Sequence, residues 1–492
     1  MSAWRWTVFL LALLPAPLIA AEPSPLEFHL TYDRKVGIPS FTGRVFIILD
    51  APEVEKLPEE IDWFKPQPLF AVDVKDWKPG DKLVINRNAL AYPPFEKIPV
   101  KTYSIHAVMD LDRGAANFST ADGNIYSKPL VRRIDPSSSV TIDVAMDRVY
   151  KQRPFEEKDR IKLVEIDSAL LTKFHGKPVK LRAGVSLPES FADHPDRKYP
   201  VIYEIPGFGG DHRAVQYATH AWTTYKDTEF VHVVVDPNCR CGHHLFVDSA
   251  NNGPVARALI EELIPHIEDK FHGLGKPNAR FVTGHSSGGW ASLWLQITYP
   301  EFFGGCWSTA PDEVDFRDFQ RTNIYKDANL FEDEEGRLRP MARDIGKGAI
   351  DNKTFSDLEI VMGHGGQLGS YEAVFSPRGS DGTPRQLWDR KTGKIDREIA
   401  KHWERFDIRL VLEKNWEKLG PKLQGKIHVY VGSKDTYFLE RAVGLLKDSQ
   451  EKLKSDAVID IIPDRNHSTL LDEEMRTRIK AEMVKRFQDG NK

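Results

Sequence analysis

The stretch RFVTGHSSGGWASLWLQI (residues 280–297) constrains the fold more than any other. RFVTG reads as a strand and the run from Ser287 to about Thr298 as a helix, so strand passes into helix at one sharp corner. Gly284 and Gly288 flank Ser286 at positions −2 and +2, in the pattern G-x-S-x-G. Side chains at those two positions would collide with strand and helix. The corner lifts the Ser286 hydroxyl out of the sheet edge at the positive end of the helix. Only Ser286 has glycine on both sides, so the register selects it over Ser287. The pattern alone is common; the strand before it and the helix after it give it weight.

The same alternation surrounds the corner. KLRAGVSL, YPVIYEIPG, FVHVVVD, GGCWST, KIHVYVG and AVIDIIP read as further strands. Between them lie amphipathic stretches. In GPVARALIEELIPHIEDKF, Val255, Leu259, Leu263, Ile267 and Phe271 fall on one side of a predicted helix. YFLERAVGLLKDSQEKLK and LLDEEMRTRIKAEMVKRFQ read as two more. Strands alternating with such helices predict a mostly parallel sheet covered on both faces, over residues 156–492. Residues 310–424 interrupt the pattern as an insertion and candidate lid, with the turn SPRGSDG, the cluster GHGGQ, and Trp388, Trp403 and Trp416. Trp388, Trp403 and Trp416 are candidates for apolar or sugar-stacking surface, and Arg378 for a polar substrate group. Residues 22–155 differ: short, partly alternating runs such as LEFHLTY, GRVFIILD and VTIDVAMD, separated by turns, predict a small antiparallel, Ig-like β-sandwich.

Bulk properties narrow the setting. The chain has 492 residues, with 28% charged and 41% hydrophobic, enough for two or three domains with real cores. A net charge of −4 points to neither nucleic acid nor an anionic membrane as partner. Residues 1–21 read as an export signal: Arg5, then an apolar run broken by Pro15 and Pro17 and ending in Ala20-Ala21. The run is too short to span a bilayer, so no stable membrane insertion is expected after cleavage, and the mature chain is expected in the periplasm or outside the cell. Three cysteines, Cys239, Cys241 and Cys306, leave at least one thiol unpaired; a bridge from either of the first two to Cys306 is open to the chain.

A serine hydroxyl needs a base, and the base needs an orienting acid. After Ser286 the chain offers Asp435 in the loop past KIHVYVG and His467 just past AVIDIIP. Both fall at carboxyl ends of strands, where sites in open α/β sheets form. Asp248 and Asp312 are the fallback acids. Thr469 and Asp472 form a T-x-x-D start signal for the last helix. An oxyanion would be met by the Ser287 N–H and by an amide from the Gly-rich loop after YEI, with Phe208 first and Gly209 second. The loop DPNCRCGHHLFVDSANNGP holds Cys239, Cys241, His243 and His244, but C-x-C-x-H-H is not a usual ligand spacing, and no metal is expected. That loop is read instead as bordering the site, and Gly209, His243, His244 and Trp290 are candidate substrate contacts.

From about Tyr199 onward, YEIPGFGG, NNGPVARALIEELIP, VTGHSSGGWASL, GSKDTYFLE and NHSTLL resemble the esterase D / feruloyl-esterase-like branch of the α/β-hydrolases. The whole chain is similar to exported bacterial esterases of that branch. The resemblance implies Ser286, Asp435 and His467 as a triad, an oxyanion hole at Phe208 and Ser287, and neither metal nor organic cofactor. It implies hydrolysis of carboxylic esters, some of them carbohydrate-linked. Pro206-Gly207 stands where many members have His-Gly. An acyltransferase using the same triad and a non-catalytic glycan-binding protein are the alternatives.

Overall fold

The computed structural model describes residues 26–111, 114–217 and 222–490; the expected export signal lies outside the described residues. Two large sheets organise them. The N-terminal one holds β1 (Leu26–Tyr32), β2 (Phe41–Asp50), β3 (Leu69–Trp77), β4 (Leu83–Ile85), β5 (Leu90–Tyr92), β6 (Lys101–Met109), β7 (Ile125–Ser127), β8 (Leu130–Ile134) and β9 (Val140–Val149). Its order is β4-β1-β9-β7-β6-β2-β3-β5, with β8 also on β6. The expected Ig-like sandwich needs two separately paired sheets, whereas here one hydrogen-bonded path joins the strands. β1 even runs parallel to β9. Phe28, Ile47, Tyr103 and Val144, from four different strands, share one inner core.

The second sheet has eight strands, in the order β10-β11-β15-β12-β18-β19-β22-β23. β10 (Ile161–Asp167), unread in the sequence, and β11 (Lys180–Ser186) form an antiparallel edge. β12 (Val201–Ile205), β15 (Val231–Val235), β18 (Arg280–His285), β19 (Gly305–Thr309), β22 (Ile427–Gly432) and β23 (Val458–Ile462) pair in parallel. Every residue of β15 and of β19 is buried, as in strands covered on both faces. The small pairs β13–β14 (Thr224–Tyr225, Thr228–Glu229) and β16–β17 (Asn238–Cys239, Gly242–His243) belong to loops.

Helices cover this sheet. α1 (Ala169–His175) precedes β11. The long stretch read as a single helix is broken into α2 (Val255–Ala258), a π turn at Leu259–Leu263, and α3 (Ile264–Lys270). Pro265 lacks an N–H, and the wider turn before it avoids the missing bond. Its apolar seam still faces inward: Val255, Leu259, Leu263, Ile267 and Phe271 are all buried. α4 (Ser287–Thr298) starts at the glycine corner, and α9 (Leu439–Lys452) and α10 (Glu473–Asp489) close the domain. Asp472 itself caps α10, accepting from Met475 N, so the helix starts later than the T-x-x-D signal placed it. The Thr469 hydroxyl is committed to Asn466 instead.

The insertion carries a hairpin, β20 (Pro340–Ala342) and β21 (Ile350–Asp351), and four helices: α5 (Asn352–Met362), α6 (Gln367–Phe375), α7 (Arg397–Trp403) and α8 (Ile408–Leu423). α8 packs on α4 and α9, as part of the layer over the sheet. α5 faces the other way. Its Leu358 and Val361 are buried against Phe46, Ile48, Leu69, Ala71 and Val108 of the N-terminal sheet. Arg44, paired with Asp73, donates from Nη1 to the Ile360 and Val361 carbonyls, each at 3.0 Å, at the end of α5.

Candidate active site

Ser286 stands at the corner between β18 and α4, with φ 59° and ψ −125°. A residue with a side chain seldom adopts this conformation, and here packing enforces it. A Cβ on Gly284 would lie 2.2 Å from the Gly288 carbonyl oxygen, and one on Gly288 would lie 1.9 Å from the Ile205 oxygen. The two glycines thus let α4 press onto β12 and β18, which forces Ser286 outward.

Two strands away, the loop after β22 presents Asp435, which is fully buried. The loop after β23 presents His467, whose Nδ1 donates to Asp435 Oδ2 at 2.8 Å. That bond leaves Nε2 as the ring's acceptor. The second oxygen of Asp435 is held too, accepting from Tyr437 N at 2.9 Å. Two rings fix the imidazole: Tyr437 meets it edge-on at 4.9 Å, and His285 lies 4.5 Å away. Burial, then the neighbouring His467, pushes His285 down to about 3, so it stays neutral beside that ring.

The Ser286 hydroxyl has a partner that the sequence offered only as a fallback acid. Asp312, three residues past the end of β19, is buried; its Oδ1 accepts from Ser286 Oγ at 3.4 Å. Its Oδ2 accepts from Ser287 Oγ at 2.5 Å. Gln367 of α6 donates to both Ser287 Oγ (3.1 Å) and Asp312 Oδ2 (3.3 Å) and also bonds Tyr371. Burial raises the Asp312 carboxyl above its usual range, opposed by the hydroxyls of Ser287, Tyr371 and Ser286 and by His467. The adjacent Glu313 is pushed up to about 8 by burial and by Asp312. Gln367 and Tyr371 escaped the sequence reading, because nothing local marks which insertion residues turn inward. Asp312 did carry a signal, its place at the carboxyl end of the strand next to the one that leads into Ser286.

The loop after β12 makes a tight turn: Gly210 N donates to the Gly207 carbonyl at 3.0 Å, and Gly209 has φ 80°. The Phe208 amide lies outside that bond. A Cβ on Gly207 would sit 3.3 Å from Ser286 Cβ, so turn and serine are in contact range. Phe208 and Ser287 therefore both border Ser286, and Gly209 is exposed at the tip of the turn.

Three of the expected substrate contacts are buried. His243 is buried; its Nε2 donates to the Pro206 carbonyl at 2.9 Å, and its Nδ1 accepts from Leu245 N. It props the Phe208 turn from behind. His244 is buried against Phe246, its Nδ1 accepting from Phe246 N. Trp290 has 1% of its surface exposed and packs on Trp294 and Phe375. It lies one helical turn past Ser286, on the side of α4 facing the core. The insertion tryptophans behave likewise. Trp388 and Trp403 are buried, their Nε1 groups donating to Ser356 and Ser376, and Trp416 is partly buried against the same core. Arg378 is exposed and bonds the Gly382 carbonyl within its own turn.

All three cysteines are free thiols. Cys306 is buried on β19, where burial pushes its thiol up to about 12. Among the described residues no group of three His, Cys, Asp or Glu side chains is placed to hold a metal ion, and no helix is long and apolar enough to cross a membrane.

A protein-family model described as "Putative esterase" matches residues 178–469. No curated protein matches the chain. Among solved structures it is similar to a ferulic acid esterase, at 14% identity and TM-score 0.39, over 67% of this chain and 98% of that one. It is similar to an S-formylglutathione hydrolase from Agrobacterium tumefaciens at 13% identity and TM-score 0.41, over 67% and 94%. A fluorophosphonate-binding serine hydrolase, FphF of Staphylococcus aureus, is similar at 15% identity and TM-score 0.38, over 66% and 99%.

Proposed function

The chain belongs to the esterase family, and from that membership we propose a serine mechanism of ester hydrolysis with named roles. Ser286 attacks the ester carbonyl. His467 takes its proton at Nε2 and returns one to the leaving alcohol. Asp435 holds the ring with Nδ1 protonated and stabilises the imidazolium. The amides of Phe208 and Ser287 receive the oxyanion. Water then enters, His467 removes its proton, and the acyl-enzyme is cleaved.

The observation that carries this reading is the 2.8 Å bond from His467 Nδ1 to buried Asp435, beside a serine held at a strained corner. In the resting arrangement the Ser286 hydroxyl donates to Asp312. Rotation about its Cα–Cβ bond redirects it, and such catalytic bonds commonly tighten only once substrate is bound. The signal-like residues 1–21 support an exported enzyme, and the ester is proposed to be carbohydrate-linked in some substrates.

The test is covalent labelling with a fluorophosphonate, the adduct located by mass spectrometry. Ser286→Ala is expected to abolish both labelling and acetyl-ester turnover, while Ser287→Ala keeps much of each, because its amide rather than its hydroxyl is used. The opposite pattern would move the nucleophile.

A further inference from the structure

The proposed mechanism leaves one cluster beside His467 without a role, and part of it comes from the N-terminal domain. The segment between β2 and β3 carries Trp63. Its ring lies 5.6 Å from that of Phe208, 4.8 Å from Phe355 and 6.2 Å from Tyr437. Phe208 belongs to the proposed oxyanion turn, and Tyr437 touches the imidazole of His467. A residue of the first sheet therefore reaches the rim of a site built on the second.

The tip is held in place. Asp62 Oδ1 accepts from the amides of Phe64 and Lys65 at 2.8 and 3.1 Å, and Asp62 N donates to Gln67 Oε1 at 3.0 Å. Leu57 and Ile61 are buried in the contact with α5. Trp63, Phe208 and Tyr437 are each only partly buried, whereas Phe355 behind them is buried. A plug that merely docked one domain on another would be sealed. This cluster keeps aromatic surface open beside the imidazole.

We propose that Trp63, Phe208 and Tyr437 form a subsite for a flat ring in the alcohol portion of the ester, with the N-terminal domain supplying its outer wall. This rests on Ser286 and His467 acting as assigned above. The alcohol side follows from the chemistry. The imidazole returns its proton to the leaving oxygen, so the surface beside the imidazole borders the leaving group. The ring follows from the wall: aromatic faces favour an aryl ring or the C–H face of a pyranose over a flexible chain.

The test uses the full-length protein and four esters: ethyl acetate, benzyl acetate and methyl 6-O-acetylglucopyranoside, which share the acyl group, and ethyl phenylacetate, which carries its ring on the acyl side. Trp63→Ala is expected to lower kcat/KM about tenfold, mainly through KM, on whichever ring alcohol the wild type prefers. Ethyl acetate and ethyl phenylacetate are expected to change less than about twofold. Benzyl acetate and the glucoside distinguish an aryl from a sugar subsite. Trp63→Phe is expected to restore most of the preference, and Trp63→Leu, which keeps bulk without a ring, is not. These two variants also stand in if Trp63→Ala fails to fold. Equal loss on all four esters would make Trp63 a prop for the Phe208 turn and overturn the proposal. A loss confined to ethyl phenylacetate, or no change at all, would overturn it too. Fluorophosphonate labelling of wild type and of Ser286→Ala is run alongside. Failure there is a failure of the serine mechanism, visible before any Trp63 variant is measured.

Discussion

Asp435 and Asp312 are both buried at the candidate site, and their partners separate their roles. Asp435 bonds the imidazole, while Asp312 bonds the hydroxyls of Ser286 and Ser287. Asp435→Asn is expected to lower kcat by roughly 10³–10⁴, because an amide favours the wrong tautomer of His467. Asp312→Asn leaves that tautomer alone and is expected to cost about tenfold or less, since a hydrogen bond to a hydroxyl is replaced rather than lost. Steady-state kinetics on one acetyl ester separates the two. Burial also gives the molecule an acid limit. His243 is pushed down to about 4, and His244 and His285 to about 3, all by burial first. Lowered histidines stabilise the fold above their unfolded value near 6.5, and that stability is lost as pH falls towards the folded values. Glu313, raised to about 8, and Glu372, raised to about 7, work the opposite way, since each proton is bound in the fold and released on unfolding above the usual carboxylate range. Between about pH 6 and pH 4.5, three histidines outweigh two carboxyls, and unfolding free energy from these groups is expected to fall by about 2 kcal/mol per pH unit at the steepest. Urea titrations across that range measure it.

The elements show what local pattern can and cannot carry. The corner at Ser286 and the strand-end positions of Asp435 and His467 were legible, because a sharp strand–helix turn needs glycine at fixed offsets and the parallel strands are long apolar runs. The break in the long helix before α3 was not legible, since apolar spacing survives a π turn unchanged. Whether the insertion acts as a lid was not legible for a related reason. Its tryptophans look the same in sequence whether they face a substrate or a core, and here Trp388 and Trp403 face the core. A lid would be dispensable for folding. This insertion carries packing contacts as well: α6 bonds Ser287 and Asp312, α8 packs on α4, and α5 buries Leu358 and Val361 against the N-terminal sheet. Replacing residues 310–424 with a short linker is therefore expected to give insoluble or unfolded protein, measured as loss of a cooperative thermal transition. A folded variant with altered ester preference would restore the lid reading.

On the scale of the whole molecule, the two sheets are joined through α5. Short alternating strands announced the N-terminal sheet, but alternation says only that one face is covered, not by what. Part of the cover is local, from Leu57, Ile61 and Phe118, and the rest comes from Leu358 and Val361, some three hundred positions later in the chain. Val361→Asp, which sets a charge in that contact, is expected to destabilise the protein by about 3 kcal/mol or more, read as a drop in the denaturant midpoint. The contact also sets a timetable for synthesis. The strands of the first sheet have all been made by Val149, yet Phe46, Ile48, Leu69, Ala71 and Val108 wait for Leu358 and Val361 before their outer face is fully shielded. Domains made first tend to fold first, and an open apolar sheet face in a growing chain invites association with its neighbours. A nascent chain halted before residue 352 would carry that face only partly covered, by Leu57, Ile61 and Phe118, so a holdase that occupies the rest until the second half arrives would raise the yield of native protein.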